Sequence, residues 1–290
     1  MTWKGRFFTI LINLLYSLSL SYILFNYIFV GRIDVQSLFY ASVFSVLSLI
    51  YGYMVEDLKL AFLGYMASAV LSVILTVVLV RLPIQMNIGS LAAELVTIYS
   101  SRNALMYILM VVTPLSLIFI PIGIYLSTII DGSKYFKVGY FIFTLLLFAL
   151  LINNYIDYSL EVYSIKLLEI DVEDIQINVE VDRAFLNLTY SVVNRGARAI
   201  EFSMIVYKVY FGGEVARVYS ENFYGSPLVS RPLETLRRTV MIEVPIFKLK
   251  RNVVNGVVKA SLVFEVYVKT RFGNTPVTFQ HTTLLNVSQP

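Results

Sequence analysis

Hydrophobic and polar positions follow two rhythms along this chain, and the change comes near residue 157. Before it, apolar residues run almost unbroken in five blocks, at 7–30, 37–55, 60–80, 104–130 and 138–156. At 1.5 Å per helical residue, blocks of this kind reach across the ~30 Å hydrocarbon layer of a bilayer. None carries the polar face that a surface helix of a soluble domain shows to water. They predict a helical bundle of about five transmembrane helices. The first block follows Met-Thr-Trp-Lys-Gly-Arg. Its apolar run is too long for a cleaved signal, and no small-x-small site follows it, so it is expected to be a retained anchor. Residues 82–103 hold Gln85, Asn87 and Glu94. They lack a clean apolar run and are expected to form an interfacial helix or an ordered loop between spans three and four.

From about Tyr158 a short polar transition leads into sequence of period two. "DIQINVEV" alternates through Ile175, Ile177, Val179 and Val181. "AFLNLTYSVV" and "AIEFSMIVYKVYF" follow, the latter ending at Gly212-Gly213, a two-residue hairpin signal. "EVARVYSENF" pairs back, and "TLRRTVMIEVP" comes after a Ser/Pro loop. The longest run, "VVKASLVFEVYVKTRFG", puts Ala260, Leu262, Phe264, Val266 and Val268 on one face. Six or seven short alternating strands predict an all-β, immunoglobulin-like β-sandwich of seven strands over residues 158–290, appended to a helical domain at 1–157.

Composition sharpens this division. The chain is 58% hydrophobic and 14% charged, well below the quarter usual in globular domains. Only 8 of the 23 Lys and Arg precede residue 158. The net charge of +4 is dispersed and gives no basic stripe for nucleic acid. There is no cysteine, which excludes disulfides and thiolate metal sites, and there is one histidine, His281. High tyrosine content without cysteine fits a heat-adapted archaeal surface protein. In the short loops, Lys4, Arg6, Lys59, Lys134 and Lys137 fall on one side, and Arg32, Arg81 and Arg102 on the other. The positive-inside rule then sets the N-terminus in the cytoplasm, and an odd span count sets the β-domain outside. Two sequons, at Asn187 and Asn286, fall in that outer half and are the candidate glycosylation sites.

The spans carry small-residue stripes. Gly64, Ser68, Ser72 and Thr76 recur every four residues in the third, and Ala41, Ser45, Ser48 and Gly52 in the second. Such stripes let helices approach closely, either within the bundle or against a partner membrane protein. Pro114 and Pro121, seven apart in the fourth span, are expected to kink it, and broken helices also build transporter sites. No Asp, Glu, Lys, Arg or His lies in the middle of a block. That argues against proton relays and intramembrane catalytic dyads, which need ionisable groups at depth. His281 has no nucleophile pattern beside it and reads as a strand histidine. The acidic run Glu169, Asp171, Glu173 and Asp174 reads as a solvated face, because a calcium site needs oxygens converging from turns. Lys248, Lys250 and Arg251 read as a solvated loop.

The order strand, "VVN", turn, "VYKVYFGGEVA", Ser/Pro loop, Thr-led strand, "VYVKTRFG", "PVTF" resembles the late-embryogenesis-abundant type 2 (water-stress and hypersensitive-response) domain over about Glu173 to Leu285. Domains of that family typically carry a Val-x-Asn-Pro turn, and here Asn194 is followed by Arg195-Gly196 instead. "VVNRGARAIEF" is also similar to the Asn-x-Gly turn of archaeal and bacterial sandwich repeats. Both resemblances imply a seven-stranded sandwich without catalytic residues, and no cofactor or metal is expected. The expected partners are the lipid bilayer and another membrane or envelope protein. The expected role is non-enzymatic, with a subunit of a transporter, channel or other membrane complex as the alternative.

Overall fold

The computed structural model describes residues 3–30, 35–130, 134–223, 225–270 and 273–287. The chain divides into two compact units, Met1–Tyr158 and Ser159–Pro290.

In the first unit, α1 spans Trp3–Val30, α2 Val35–Val55 and α3 Leu58–Asn87. Next come α4 at Ser90–Tyr107, a π-helical turn at Ile108–Val112, and α5 at Thr113–Ile129. The helix α6 runs Lys134–Lys166. Asp57 starts α3 by accepting the Leu60 amide at 2.9 Å, satisfying one of the four orphan donors of a helix start. Five helices are long and apolar enough to cross a membrane, with α4, the π-turn and α5 counting as one of 40 residues.

Residues 82–103 depart from the expected loop or separate interfacial helix. Residues 82–87 complete α3, with Pro83 inside it, and 90–103 open the helix that becomes the fourth block. The chain reverses at Gly89, whose φ of 137° is closed to side chains with a Cβ. Both Ile88 and Gly89 amides close onto the Ile84 carbonyl there. The result is a helical hairpin whose second arm, at 40 residues and about 60 Å, is twice a hydrocarbon thickness.

Helices α2 and α5 approach each other closely. A Cβ on Gly52 would stand 2.2 Å from the Ile120 carbonyl oxygen, and one on Gly123 would stand 2.0 Å from that of Leu49. Both contacts are with backbone, which cannot swing aside, so the two helices touch main chain to main chain. Gly123→Val must therefore force the pair apart. It is expected to lower the stability of the detergent-solubilised bundle by about 1–3 kcal/mol, the usual range for overpacking, read as a lower thermal midpoint. Gly139→Ala, where an added Cβ meets nothing within 4 Å, is expected to leave it unchanged.

The second unit holds two antiparallel sheets. Strands β1 (Leu168–Val179), β2 (Ala184–Asn194) and β6 (Thr235–Val244) form one in the order β1-β2-β6. Strands β3 (Ile200–Phe211), β4 (Glu214–Asn222), β7 (Val257–Thr270) and β8 (Gly273–Asn286) form the other, in the order β4-β3-β7-β8. A short β5 (Leu228–Ser230) also pairs with β3. The described residues thus give eight strands where seven were expected. The extra one is three residues long, too short for an alternation to be read. The helix α7 (Ile246–Asn252) carries Lys248, Lys250 and Arg251, which correct the solvated-loop expectation. Inward faces of the sheets bury Leu186, Leu188, Tyr190 and Val192 on β2 and Leu262, Phe264, Val266 and Val268 on β7. The alternation on β7 therefore has the register the sequence indicates, which a one-residue slip would have inverted.

The join between the units lies inside α6. Its last turn and the start of β1 replace the expected polar transition. Tyr158, Val162 and Ile165 are buried, at the spacing of one helix face. Ser164 then meets the turn after β2: its Oγ accepts the Arg198 amide at 3.1 Å, and a Cβ on Gly196 would stand 2.3 Å from its own. The Arg195 amide donates to the Leu167 carbonyl at 3.3 Å. A proline at 195 has no hydrogen to give, which is the physical reason this turn does without one.

Candidate functional site

Two polar networks stand out, one in each unit. In the helical unit a seam of uncharged polar groups lines the contact between α1, α2 and α3. Asn13 is its hub. Its Oδ1 accepts from the Tyr51 hydroxyl at 2.7 Å, and its carbonyl accepts from Ser68 Oγ at 3.0 Å. Gly64 makes room, since a Cβ there would fall 2.2 Å from the Tyr51 oxygen. Ser72 Oγ donates to the Ser17 carbonyl at 2.8 Å. Tyr16 shares a 3.0 Å hydrogen bond with Ser48 and stacks on Tyr51 with centroids 4.3 Å apart.

The stripe Gly64, Ser68, Ser72 and Thr76 is therefore packed inside the bundle, mainly on α1. Ser48 and Gly52 of the second stripe face α1 and α5. Most seam hydroxyls are occupied by protein acceptors. Thr76 Oγ1 and the Tyr107 hydroxyl are buried without a hydrogen-bond partner among the described residues. Tyr107 lies stacked on Tyr27 with centroids 3.9 Å apart.

Pro114 sits just after the π-turn, and Pro121 lies within α5. In an α-helix the Pro114 ring would press on the carbonyl four residues earlier, that of Met110. Met110 lies inside the π-turn, where the Thr113 amide reaches back to the Ile108 carbonyl. The wider turn accommodates the ring. Proline positions are legible in a sequence. This response to one of them is not.

In the β-unit a tyrosine–carboxylate–guanidinium cluster bridges the two sheets. Tyr190 on β2 and Tyr207 on β3 share a 2.6 Å hydrogen bond between hydroxyls. Tyr207 donates to Glu221 Oε2 on β4 at 2.7 Å. Arg238 on β6 faces the same carboxylate at 3.4 Å, and its guanidinium lies 5.1 Å from the Phe223 ring centroid. Its Nε is buried without a hydrogen-bond partner among the described residues. No local pattern announces this cluster, because its four members lie on four strands. The only local signal was a pair of tyrosines at inward-facing positions.

Burial pushes the Tyr207 hydroxyl up from its ordinary 10.0, and the neighbouring Tyr190 and Glu221 add to the shift. Burial raises Tyr190 as well, opposed by its bond to Tyr207 and by Arg238. For an acid whose folded value is raised, the neutral form is favoured in the fold. Its contribution is fully present below the unfolded value and is lost as pH climbs above it. The β-unit is thus expected to hold its stability up to about pH 9 and to lose it above about pH 10, followed by hydrogen exchange on β2 and β3. Tyr207→Phe is expected to shallow that decline.

The other sequence candidates do not converge. Glu169 pairs with Arg195 and Glu173 with Arg237, each at 2.7 Å, so half of the acidic run is engaged in exposed ion pairs. Asp171 and Asp174 lie on the same strand β1 without joining them in a ligand set, and among the described residues no group of three or more His, Cys, Asp or Glu could hold a metal ion. Lys248 donates to the Val215 carbonyl at 2.6 Å, and Arg251 lies 3.8 Å from Glu214. His281 is half-buried on β8, opposite Leu262. Asn187 lies mid-strand on β2, half-buried, and Asn286 is exposed at the end of β8.

No family model matches the chain, and no curated protein matches its sequence. Among solved structures, the likenesses cover the C-terminal β part. One is an Arabidopsis thaliana protein solved in solution, 14% identical, covering 41% of this chain and 81% of that one at a TM-score of 0.35. Another is a solution structure assigned to the late embryogenesis abundant proteins, 14% identical, covering 41% and 71% at 0.34. A third is a crystal structure of a protein from Archaeoglobus fulgidus, 13% identical, covering 41% and 100% at 0.32.

Proposed function

We propose that the chain is a multi-pass integral membrane protein that presents its β-unit outside the cytoplasm as a non-enzymatic interaction module. Its partner is another membrane or envelope protein. The observation that carries this reading is the inverted polarity of the helical unit. On α3 the small residues Ala61, Gly64, Ser68, Ala69, Ser72 and Thr76 are buried, together with Tyr65, Val80, Pro83 and Ile84, while Leu63, Met66, Val70 and Ile74 are exposed. A soluble bundle does the reverse, because water rewards apolar burial. In lipid the tails are as apolar as leucine, and helices associate through small residues and interhelical hydrogen bonds.

The β-unit supports the non-enzymatic part. Its inter-sheet polar cluster is spent largely on internal contacts, with Tyr190, Tyr207, Glu221 and Arg238 as mutual partners. The transporter or channel-subunit reading draws on the unpartnered Thr76 and Tyr107 hydroxyls and on the π-turn, since π-turns recur at functional sites.

The absence of native cysteine makes the topology test clean. Ser226→Cys, in the exposed loop between β4 and β5, is expected to react with an impermeant thiol reagent in intact cells. Lys59→Cys, at the start of α3, is expected to react only after permeabilisation. The opposite pattern inverts the orientation, and extraction of the protein by alkaline carbonate overturns membrane integration.

A further inference from the structure

The four sheet edges of the β-unit are not alike. Strand β1 carries Glu169, Asp171, Glu173 and Asp174 and a bulge between Val172 and Asp174. Strand β4 carries Glu214, Arg217 and Glu221, and its ladder with β3 is also bulged. Strand β6 carries Arg237, Arg238 and Glu243. Charges and bulges are the devices by which natural sheets keep their free backbone groups from pairing with other chains. The fourth edge, β8, has none of these. Its sequence GNTPVTFQHTTLLN holds no Asp, Glu, Lys or Arg, and its ladder with β7 runs through all fourteen residues without a bulge. Pro276 blunts only its start. From Val277 to Asn286 nothing does, and among the described residues that strand pairs with β7 alone. Strand β1 lies beside it from the other sheet without sharing a ladder.

We propose that β8 is a dimerisation edge, pairing antiparallel with β8 of a second copy of this chain to join two sheets into one. The occupant follows from charge. Pairing with β1, β4 or β6 of another copy would set ionised side chains against the neutral Thr, Gln and Leu of β8. Only β8 itself offers a neutral strand of equal length. Antiparallel self-pairing also obeys a parity rule. Facing residues must point to the same side of the sheet, so the two-fold axis passes through a residue and not between two. Centring the unobstructed stretch 277–286 places that residue at His281 or Thr282.

Single cysteines at 278 to 284, introduced into the otherwise cysteine-free chain, test this in native membranes. Under mild oxidation the disulfide-linked dimer is expected to peak at position 281 or 282 and to fall away on both sides. The peak should exceed Arg217→Cys on β4 and Arg237→Cys on β6 about tenfold, the ratio that ~1.4 kcal/mol of preference gives. Gln280→Lys, on the exposed face, is expected to abolish the peak while leaving the thermal midpoint unchanged. Equal crosslinking on all edges, no peak on β8, or capture of a different protein at 281 and 282 overturns the proposal.

Discussion

Phe264→Ala is expected to cost the β-unit about 3–5 kcal/mol, a large share of the ~5–15 kcal/mol that holds a domain folded. Phe264 is buried at the centre of β7. Its ring lies 5.3 Å from Tyr190 and 5.7 Å from Tyr207, so it packs against both sheets. Truncation removes the large apolar surface and also leaves a cavity under the tyrosine pair, whose hydrogen bond to Glu221 depends on the rings staying in place. The adjacent residue is the internal control. Glu265 points to the opposite face, where it pairs with Lys208 and keeps 23% of its side chain exposed. Losing this solvent-facing ion pair is expected to cost far less than losing the Phe264 ring. Hydrogen exchange over β7 in the detergent-solubilised chain reads both variants. Equal damage from the two would mean that β7 is buried on both faces.

Asn194→Ala is the second large loss, roughly 2–4 kcal/mol. Few side chains here do as much. Asn194 is buried, accepts the Gly196 amide at 2.9 Å, and donates to the Arg198 carbonyl at 2.9 Å and the Ser230 carbonyl at 3.0 Å. It thereby holds the turn after β2 to the end of β5. Alanine abandons one buried donor and two acceptors together, and each unsatisfied group costs about 1–3 kcal/mol before the structure relaxes. Asn194→Asp separates size from chemistry. It keeps the volume and the acceptor but cannot donate, so it is expected to fall at least as far as alanine. A variant Asp as stable as the native chain would show that the two donated bonds carry no weight.

The longer strands were legible because their alternation lasts long enough to declare a face. The run from Ala260 to Val268 gave both the strand β7 and its buried side. Period two is unforgiving of register, so a correct alternation carries the packing with it. The turn at Asn194 was legible as a motif, but not its partners, since Ser230 lies 36 residues away. The helical blocks were legible as blocks, while their lengths were not. The stretch after about Tyr158 read as a short polar transition, yet α6 runs on to Lys166 with Val162 and Ile165 buried. The third block read as ending at residue 80, while α3 runs on through Pro83 to Asn87. The small-residue stripe showed where helices touch, but Asn13 and Tyr51, which complete the seam, come from helices whose pairing no local pattern encodes.

The strand order of the β-unit also sets a schedule for its synthesis. The five-stranded sheet has β3 and β7 as adjacent inner strands, paired from Glu201–Lys269 to Phe211–Ala260 with one register shift between Phe202 and Met204. Ribosomes deliver roughly 5–20 residues per second, so β3 and its hairpin partner β4 exist for several seconds before β7 is made. Through that interval one side of β3 has no ladder, and Phe202, Ile205 and Phe211 can pack only on the β1-β2 hairpin made before them. The sheet closes only once β7 and β8 have emerged. The β-unit therefore completes its fold only after β8 has left the ribosome, and its vulnerable moment to misassembly belongs to the half-built hairpin of β3 and β4.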